Sequence, residues 1–262
     1  MKLSQFTLGI LMALMILACS SDSDNPNDQT DPTVTKQLKQ ISWSNGYSEK
    51  YVYDASNRLE LIVHSDIAFI NEEANDSTFI SYQNDKISNI LKREQSGDEI
   101  VNSELQFLEF TSNNATGTRT IFTDSGDTYM EQTFEYTFSG HLLKSYKTYN
   151  LNGNIHFVQE YAHNSDGNLI TFNEISYDSA INEVVYEYHN SITQWDDDKQ
   201  VTERLFSWDA ISLPGFYLSN NNCLNLISDS TTYAYTFEYD TDNYVTKYNL
   251  DDGSFFTLEY YD

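Results

Sequence analysis

Three tryptophans in this 262-residue chain, Trp43, Trp195 and Trp208, are the side chains best suited to grip a ligand. Flat aromatic faces stack on sugars and peptides, and rigid aromatics dominate binding hot spots. Trp195 precedes three aspartates, Asp196 to Asp198, so it is the tryptophan expected at the surface. The plainer role for all three is to fill the core of a β fold. Carboxylates are the second resource. Asp240 and Asp242, and the run Asp196 to Asp198, offer the hard oxygen ligands that calcium takes, but neither has the spacing of a calcium-binding loop. Asp and Asn in such places more simply cap turns by bonding their own backbone. Paired carboxylates ~5–10 Å apart hydrolyse glycosidic bonds. With 40 acids in the chain, the sequence supplies too many pairs to choose one.

Other chemistries lack their motifs. There is no G-x-S-x-G and no phosphate-cradling G-x-x-x-x-G-K-[ST]. The histidines, His64, His141, His156, His163 and His189, show no metal-ligand spacing, and solvated or hydrogen-bonded roles are expected for them. Cys223 is expected as a small buried hydrophobe, because Asn220 to Asn222 and Leu224 give it no thiolate-stabilising neighbour. No catalytic residue, cofactor or metal is assigned, and the chain leans towards a non-enzymatic role.

These groups must be carried by strands. Tyr233, Tyr235, Phe237 and Tyr239 alternate with Thr232, Ala234, Thr236 and Glu238, a period of two with one aromatic face. Phe134, Tyr136 and Phe138 repeat the pattern, as do Val184, Tyr186 and Tyr188. A Tyr-centred unit recurs: an aromatic-x-Tyr, then Asp, Asn, Ser or Gly, then an apolar residue opening the next strand. Its anchors at positions 53, 82, 110, 136, 161 and 188 stand 25–29 residues apart, with a last copy at Tyr239. A regular period of this size signals a repeat architecture. Asn45-Gly46, Asn152-Gly153, Asp166-Gly167 and Asp252-Gly253 are hairpin-turn dipeptides. The expected fold is all-β: an antiparallel meander of repeated hairpins forming a twisted, coiled or rolled sheet over residues 36–262. One short helical piece is expected near Asp209–Asn222, where Pro214-Gly215 breaks the repeat.

The N-terminus reads as an export signal. Lys2 precedes an uncharged, mostly apolar run from Phe6 to Leu17. That run is shorter than the ~20 residues a spanning helix needs, and it suits a signal peptide over residues 1–18. Ser20 to Pro32 has no aliphatic residue, so residues 19–35 are expected as a disordered acidic tether. The net charge is −26, which opposes binding to nucleic acid or to anionic membrane surfaces.

Ile16-Leu17-Ala18-Cys19 resembles the lipobox of bacterial lipoproteins, which implies lipidation of Cys19 and attachment to a membrane through that lipid alone. Several acyl chains anchor a protein stably where one does not. Asp22 and Asp24 resemble the surface-export signal of Bacteroidota lipoproteins, which implies an outer-membrane, surface-exposed location. Asp76-Ser77-Thr78, Asp178-Ser179-Ala180 and Asp229-Ser230-Thr231 resemble the glycosylation sequon of exported proteins in that group, which makes Ser77, Ser179 and Ser230 candidate sites. Tyr51-Val-Tyr53-Asp54-Ala-Ser-Asn57-Arg-Leu59 and the segment from Phe237 to Lys247 look like the YD repeat of RHS-type proteins. The signal, the Tyr-rich hairpins and Leu213-Pro-Gly-Phe-Tyr217 together resemble an uncharacterised family of Bacteroidota lipoproteins. That likeness implies a fold and a location, and no activity. The expected function is a lipid-anchored envelope protein that binds or scaffolds a glycan or a protein. A carboxylate-based glycan-active enzyme and a purely structural envelope protein are the alternatives.

Overall fold

The computed structural model describes residues 36–65, 76–96, 99–178, 180–181, 183–199, 219–228 and 231–261. Every regular element among them is a strand. In chain order they are β1 (Leu38–Trp43), β2 (Ser48–Tyr53), β3 (Leu59–Ser65), β4 (Ser77–Gln83), β5 (Lys86–Ser96), β6 (Glu99–Phe110), β7 (Asn114–Thr123), β8 (Thr128–Ser139) and β9 (Leu142–Tyr149). There follow β10 (Ile155–His163), β11 (Leu169–Asp178), β12 (Glu183–Lys199), β13 (Asn221–Ser228), β14 (Thr231–Ala234), β15 (Thr236–Tyr239), β16 (Val245–Asn249) and β17 (Phe255–Tyr260). The helical expectation near Asp209–Asn222 fails where the chain is described: Asn221 and Asn222 open β13. The earlier part of that span lies outside the described residues.

All 17 strands belong to one antiparallel sheet. β1 pairs with β2 on one side and with β17 on the other, placing Ile41 opposite Leu258 and Trp43 opposite Phe256. β14 and β15 are halves of one run divided at Tyr235. The first half pairs with β13, the second with β16, and the Tyr235 N–H donates to Leu224 O at 2.8 Å. The meander is therefore rolled into a nearly closed, barrel-like sheet. Closure through β1 and β17 removes the free edges that an open sheet would expose.

Period-two alternation decides which face turns inward. In β8, Gln132, Phe134, Tyr136 and Phe138 are buried, whereas Glu131 before them and Thr133 among them are exposed. Tyr136 lies opposite Tyr146 with rings 4.6 Å apart, and Phe107 meets Phe134 edge-on at 5.0 Å. Such ring pairs add ~0.5–1.5 kcal/mol each beyond their buried area. Gly117 lies opposite Phe134, and a β-carbon there would stand 2.0 Å from Gln106 O and 2.6 Å from the Phe134 ring. The missing side chain is what lets that ring lie flat across the strand.

The repeat unit is visible in its turns. Asp54 Oδ1 accepts the N–H groups of Ser56 and Arg58, at 2.8 and 2.9 Å, and Asn57 takes φ 61°. Asn164 accepts from Asp166 and Asn168, and Asp240 from Asp242 and Tyr244, in the same geometry. Beside these turns the ladder shifts register, as between Val52 and Tyr53 or Glu238 and Tyr239. The tyrosine of the unit then has a specific partner. Tyr53 Oη donates to Leu38 O, Tyr82 Oη to Leu59 O and Tyr260 Oη to Val245 O, at 3.0, 2.8 and 2.8 Å. In each case the acceptor is the first residue of the preceding strand. These turns and clamps gather at one end of the sheet, here the Tyr end. The opposite end, the far end, carries the turns at 44–47, 124–127, 150–154 and 250–254.

Candidate inner binding surface

The inward face changes character along the strands. Towards the Tyr end it is apolar, with Leu59, Ile87, Phe138, Leu143 and Leu169 all buried. Towards the far end the same face carries polar and titratable groups on successive strands. Buried polar groups cost free energy unless they are paired, so a band of them is not what core packing alone selects.

On β1 to β4 the band forms one connected cluster. Trp43, the last residue of β1, meets the Tyr47 ring edge-on at 4.8 Å, and Tyr47 stacks on His64 at 6.2 Å. The Tyr47 hydroxyl lies 2.7 Å from His64 Nδ1 and donates to Glu49 Oε1 at 3.4 Å. The Tyr51 hydroxyl donates to Glu49 Oε2 at 2.6 Å, and His64 Nε2 lies 3.4 Å from Thr78 Oγ1. His64 Nδ1 is 3.5 Å from Glu49 Oε1, and the two side chains are 14% and 15% exposed. The ladder builds this arrangement, because Glu49 is registered on His64 and Tyr51 on Ile62, which is itself opposite Thr78. Two aromatic rings, a carboxylate and an imidazole therefore share one rim. Together they can stack on a sugar ring and bond its hydroxyls.

On β7 to β11 the band continues with different groups. Arg119 is half-buried opposite Gln132, and its Nε donates to Ser103 Oγ at 3.3 Å. Thr148 lies opposite Phe134. Gln159 donates to Glu174 at 2.7 Å and accepts from the Tyr161 hydroxyl at 3.0 Å. Burial holds the Tyr136 hydroxyl well above its usual range, with Tyr146 and Tyr161 adding to the effect and the Arg119 charge opposing it.

The residues singled out by sequence fall in different places. Trp43 joins the rim cluster. Trp195 is half-buried rather than surface-exposed: it packs against the core and donates its indole N–H to Leu169 O at 2.9 Å. Leu169 opens β11 as Leu59 opens β3, so Trp195 stands in the tyrosine's place in the repeat. Tyr188, taken as that anchor, lies mid-strand with its hydroxyl on Ser228 Oγ. Asp196 accepts from the backbone and side chain of Asn222 and from the Tyr239 hydroxyl. Asp240 and Asp242 both hold Lys36 Nζ, at 2.7 and 2.6 Å, so an ammonium sits where a metal was considered. Cys223 lies opposite Trp195, and burial pushes its thiol up to about 12. Ser77 opens β4, registered on Val63 and Arg93. Cys19, Trp208, Ser179 and Ser230 lie outside the described residues.

Sequence reasoning missed the rim partners of Trp43 and missed Arg119. Glu49 and His64 are 15 positions apart, and only the hairpin register makes them neighbours.

No family model matches this chain, and no curated protein does. Among solved structures it is similar to a porin-like protein from Bacteroides vulgatus, with 10% identity and a TM-score of 0.53, over 86% of this chain and 98% of that one. It is also similar to a porin-like protein from Bacteroides uniformis, with 15% identity and a TM-score of 0.49, over 88% and 98% of the two chains. At 10% identity the likeness to the Bacteroides vulgatus protein is one of fold.

Proposed function

We propose that this chain is a lipid-anchored cell-envelope protein that binds glycan, without chemical turnover, on the far-end inner face of its rolled sheet. The observation that carries the reading is the rim cluster, where the edge-packed Trp43 and Tyr47 rings lie beside Glu49 and His64. Sugar recognition needs that combination of stacking face and fixed hydrogen-bonding groups. Attachment through Cys19 is supported by the apolar run and lipobox-like residues before it. Lys36, where the described chain joins the sheet, is held by Asp240 in a Tyr-end turn, opposite the rim.

A membrane-spanning barrel needs an apolar outer band and tolerates a polar lumen. In this sheet the inward face holds rings such as Tyr51, Phe134, Tyr136 and Tyr146, and the outward face carries exposed charged and polar groups such as Glu131, Thr133, Glu160, Glu187 and Glu238 among scattered apolar ones such as Phe79 and Tyr129. That polarity supports a sheet standing in water beside the membrane rather than within it.

The test is protease shaving of intact cells together with a glycan array probed with the full-length protein in detergent. Surface exposure and binding to one glycan class support the reading. Protection from protease with no glycan bound overturns it. The rival, a glycan-active enzyme, is favoured by Glu49 lying beside His64, and release of product sugar that Glu49→Gln abolishes would establish it.

A further inference from the structure

Three arginines fall among the described residues, and two of them are paired. Arg58 holds Asp54 at 2.7 Å and Arg93 holds Asp124 at 2.9 Å. Among the described residues Arg119 has no carboxylate partner, in a chain where 40 acids face 14 bases. Its one hydrogen bond goes from Nε to Ser103 Oγ, which leaves the remainder of a planar five-donor fork unused. A half-buried guanidinium without a counter-charge is costly, and proteins normally pair it.

Two inward-facing residues near Arg119 each carry one buried atom without a partner. Gln132, its register partner on β8, is 3% exposed and its Oε1 has no hydrogen-bond partner. Thr148, on the next strand, is 1% exposed and its Oγ1 has none. Alternation puts all three on the inward face that the rim cluster shares, since Arg119, Gln132 and Thr148 are each in register or in step with Phe134. An amide and a hydroxyl can each donate as well as accept. Register sets Gln132 beside Arg119 and Thr148 one row deeper, opposite Phe134, so the three face one stretch of the interior, and arginine is the preferred partner of a planar anion.

We infer that the glycan bound by this protein is acidic, and that Arg119, supported by Gln132 and Thr148, receives its carboxylate. This rests on the glycan-binding reading and adds the charge of the ligand. The strongly negative chain repels polyanions in general, so the inner guanidinium confines their binding to this one place. A sulfate group would meet the same donors, and the test separates the two.

Full-length protein in detergent is titrated with a uronic-acid polysaccharide, with the same polymer after reduction of its carboxyl groups, and with a sulfated neutral polymer. The expected result is binding of the uronate, weakened at least about tenfold by carboxyl reduction and by Arg119→Gln, and partly restored by Arg119→Lys. Circular dichroism and a melting curve show whether Arg119→Gln is folded, and Gln132→Glu, which sets a carboxylate across from Arg119 to pair with it and repel the ligand, gives a second loss. Preference for the sulfated polymer overturns the carboxylate assignment. Equal binding of native and reduced polymer, unchanged in a folded Arg119→Gln, overturns the inference and leaves glycan binding standing. Binding to no glycan overturns both.

Discussion

Tyr82 reaches back across one strand and donates its hydroxyl to the carbonyl of Leu59 at 2.8 Å. Tyr53 and Tyr260 do the same to Leu38 and Val245, and Trp195 does it to Leu169 with an indole N–H. The carbonyl in question opens the preceding strand, next to a register shift that disturbs its ladder partner. Where it forms, this bond ties one hairpin to its neighbour. Tyr82→Phe keeps the ring and removes the bond, so it should cost about 1 kcal/mol. For a domain of this size the melting temperature should fall by about 2–4 °C. Thermal unfolding of the variant checks this, and an unchanged melting temperature would remove the clamp from the account.

Gly117 is expected to be the least replaceable glycine of the described set. Its added β-carbon would strike Gln106 O, part of the backbone, as well as the Phe134 ring. Backbone cannot swing aside as a flexible side chain can. Gly117→Ala should destabilise by about 1–3 kcal/mol or more, as overpacking does. Gly126→Ala meets nothing within 4 Å, so its cost is confined to the backbone at φ 93°. Denaturant unfolding of both variants separates the two causes.

Alkaline pH should loosen the sheet in a defined window. Burial pushes the Tyr82 and Tyr235 hydroxyls up to about 12 from an ordinary value of 10.0, and the Cys223 thiol up to about 12 from 9.0. A group whose folded pKa is raised binds its proton more tightly in the native state. The stability it contributes is complete below its unfolded value and is lost as pH rises through the folded one. Melting temperature should therefore hold up to about pH 9 and decline towards pH 12, with tyrosinate absorbance rising late. For the same reason Cys223 should react slowly with a thiol reagent at pH 8 and quickly once denatured. Rapid labelling of the folded protein would contradict the burial assigned to it.

The hairpin turns contribute stability with the opposite sign. The N–H of Arg58, then its side chain, hold the Asp54 carboxyl below its ordinary value of 3.8. A depressed carboxyl contributes stability above its unfolded value, and that contribution disappears as pH falls through the folded one. Asp54→Asn should leave the protein less stable at pH 7 and narrow its difference from the parent below about pH 4. Melting curves recorded from pH 7 down to 3 provide the check.

Much of the fold was legible because it is local. Alternation at Tyr233 to Tyr239, and the turn residues Asp54, Asn164 and Asp240, determine strand faces and hairpins within a few residues. Closure was not legible, because it depends on Leu38 meeting Tyr260 from the other end of the chain. Trp195 was misjudged from its acidic neighbours. Those lie beyond it in β12, while its ring occupies a repeat position that tyrosine usually fills. The rim cluster and the Arg119 set were invisible for a further reason. Glu49, His64, Arg119 and Gln132 look like ordinary strand residues until the register shows that they face inward together.

The most direct test of the inner face as the binding surface is hydrogen exchange on the full-length protein with and without a glycan that it binds. The amides of residues 43–51 and 62–64, around Trp43, Glu49 and His64, should gain protection, together with those of β7 and β8 near Arg119. Trp43→Ala should abolish the gain in the first group while leaving the unliganded pattern intact. Protection that instead falls on the turns of the Tyr end, or survives unchanged in Trp43→Ala, would contradict the account and move the binding surface elsewhere.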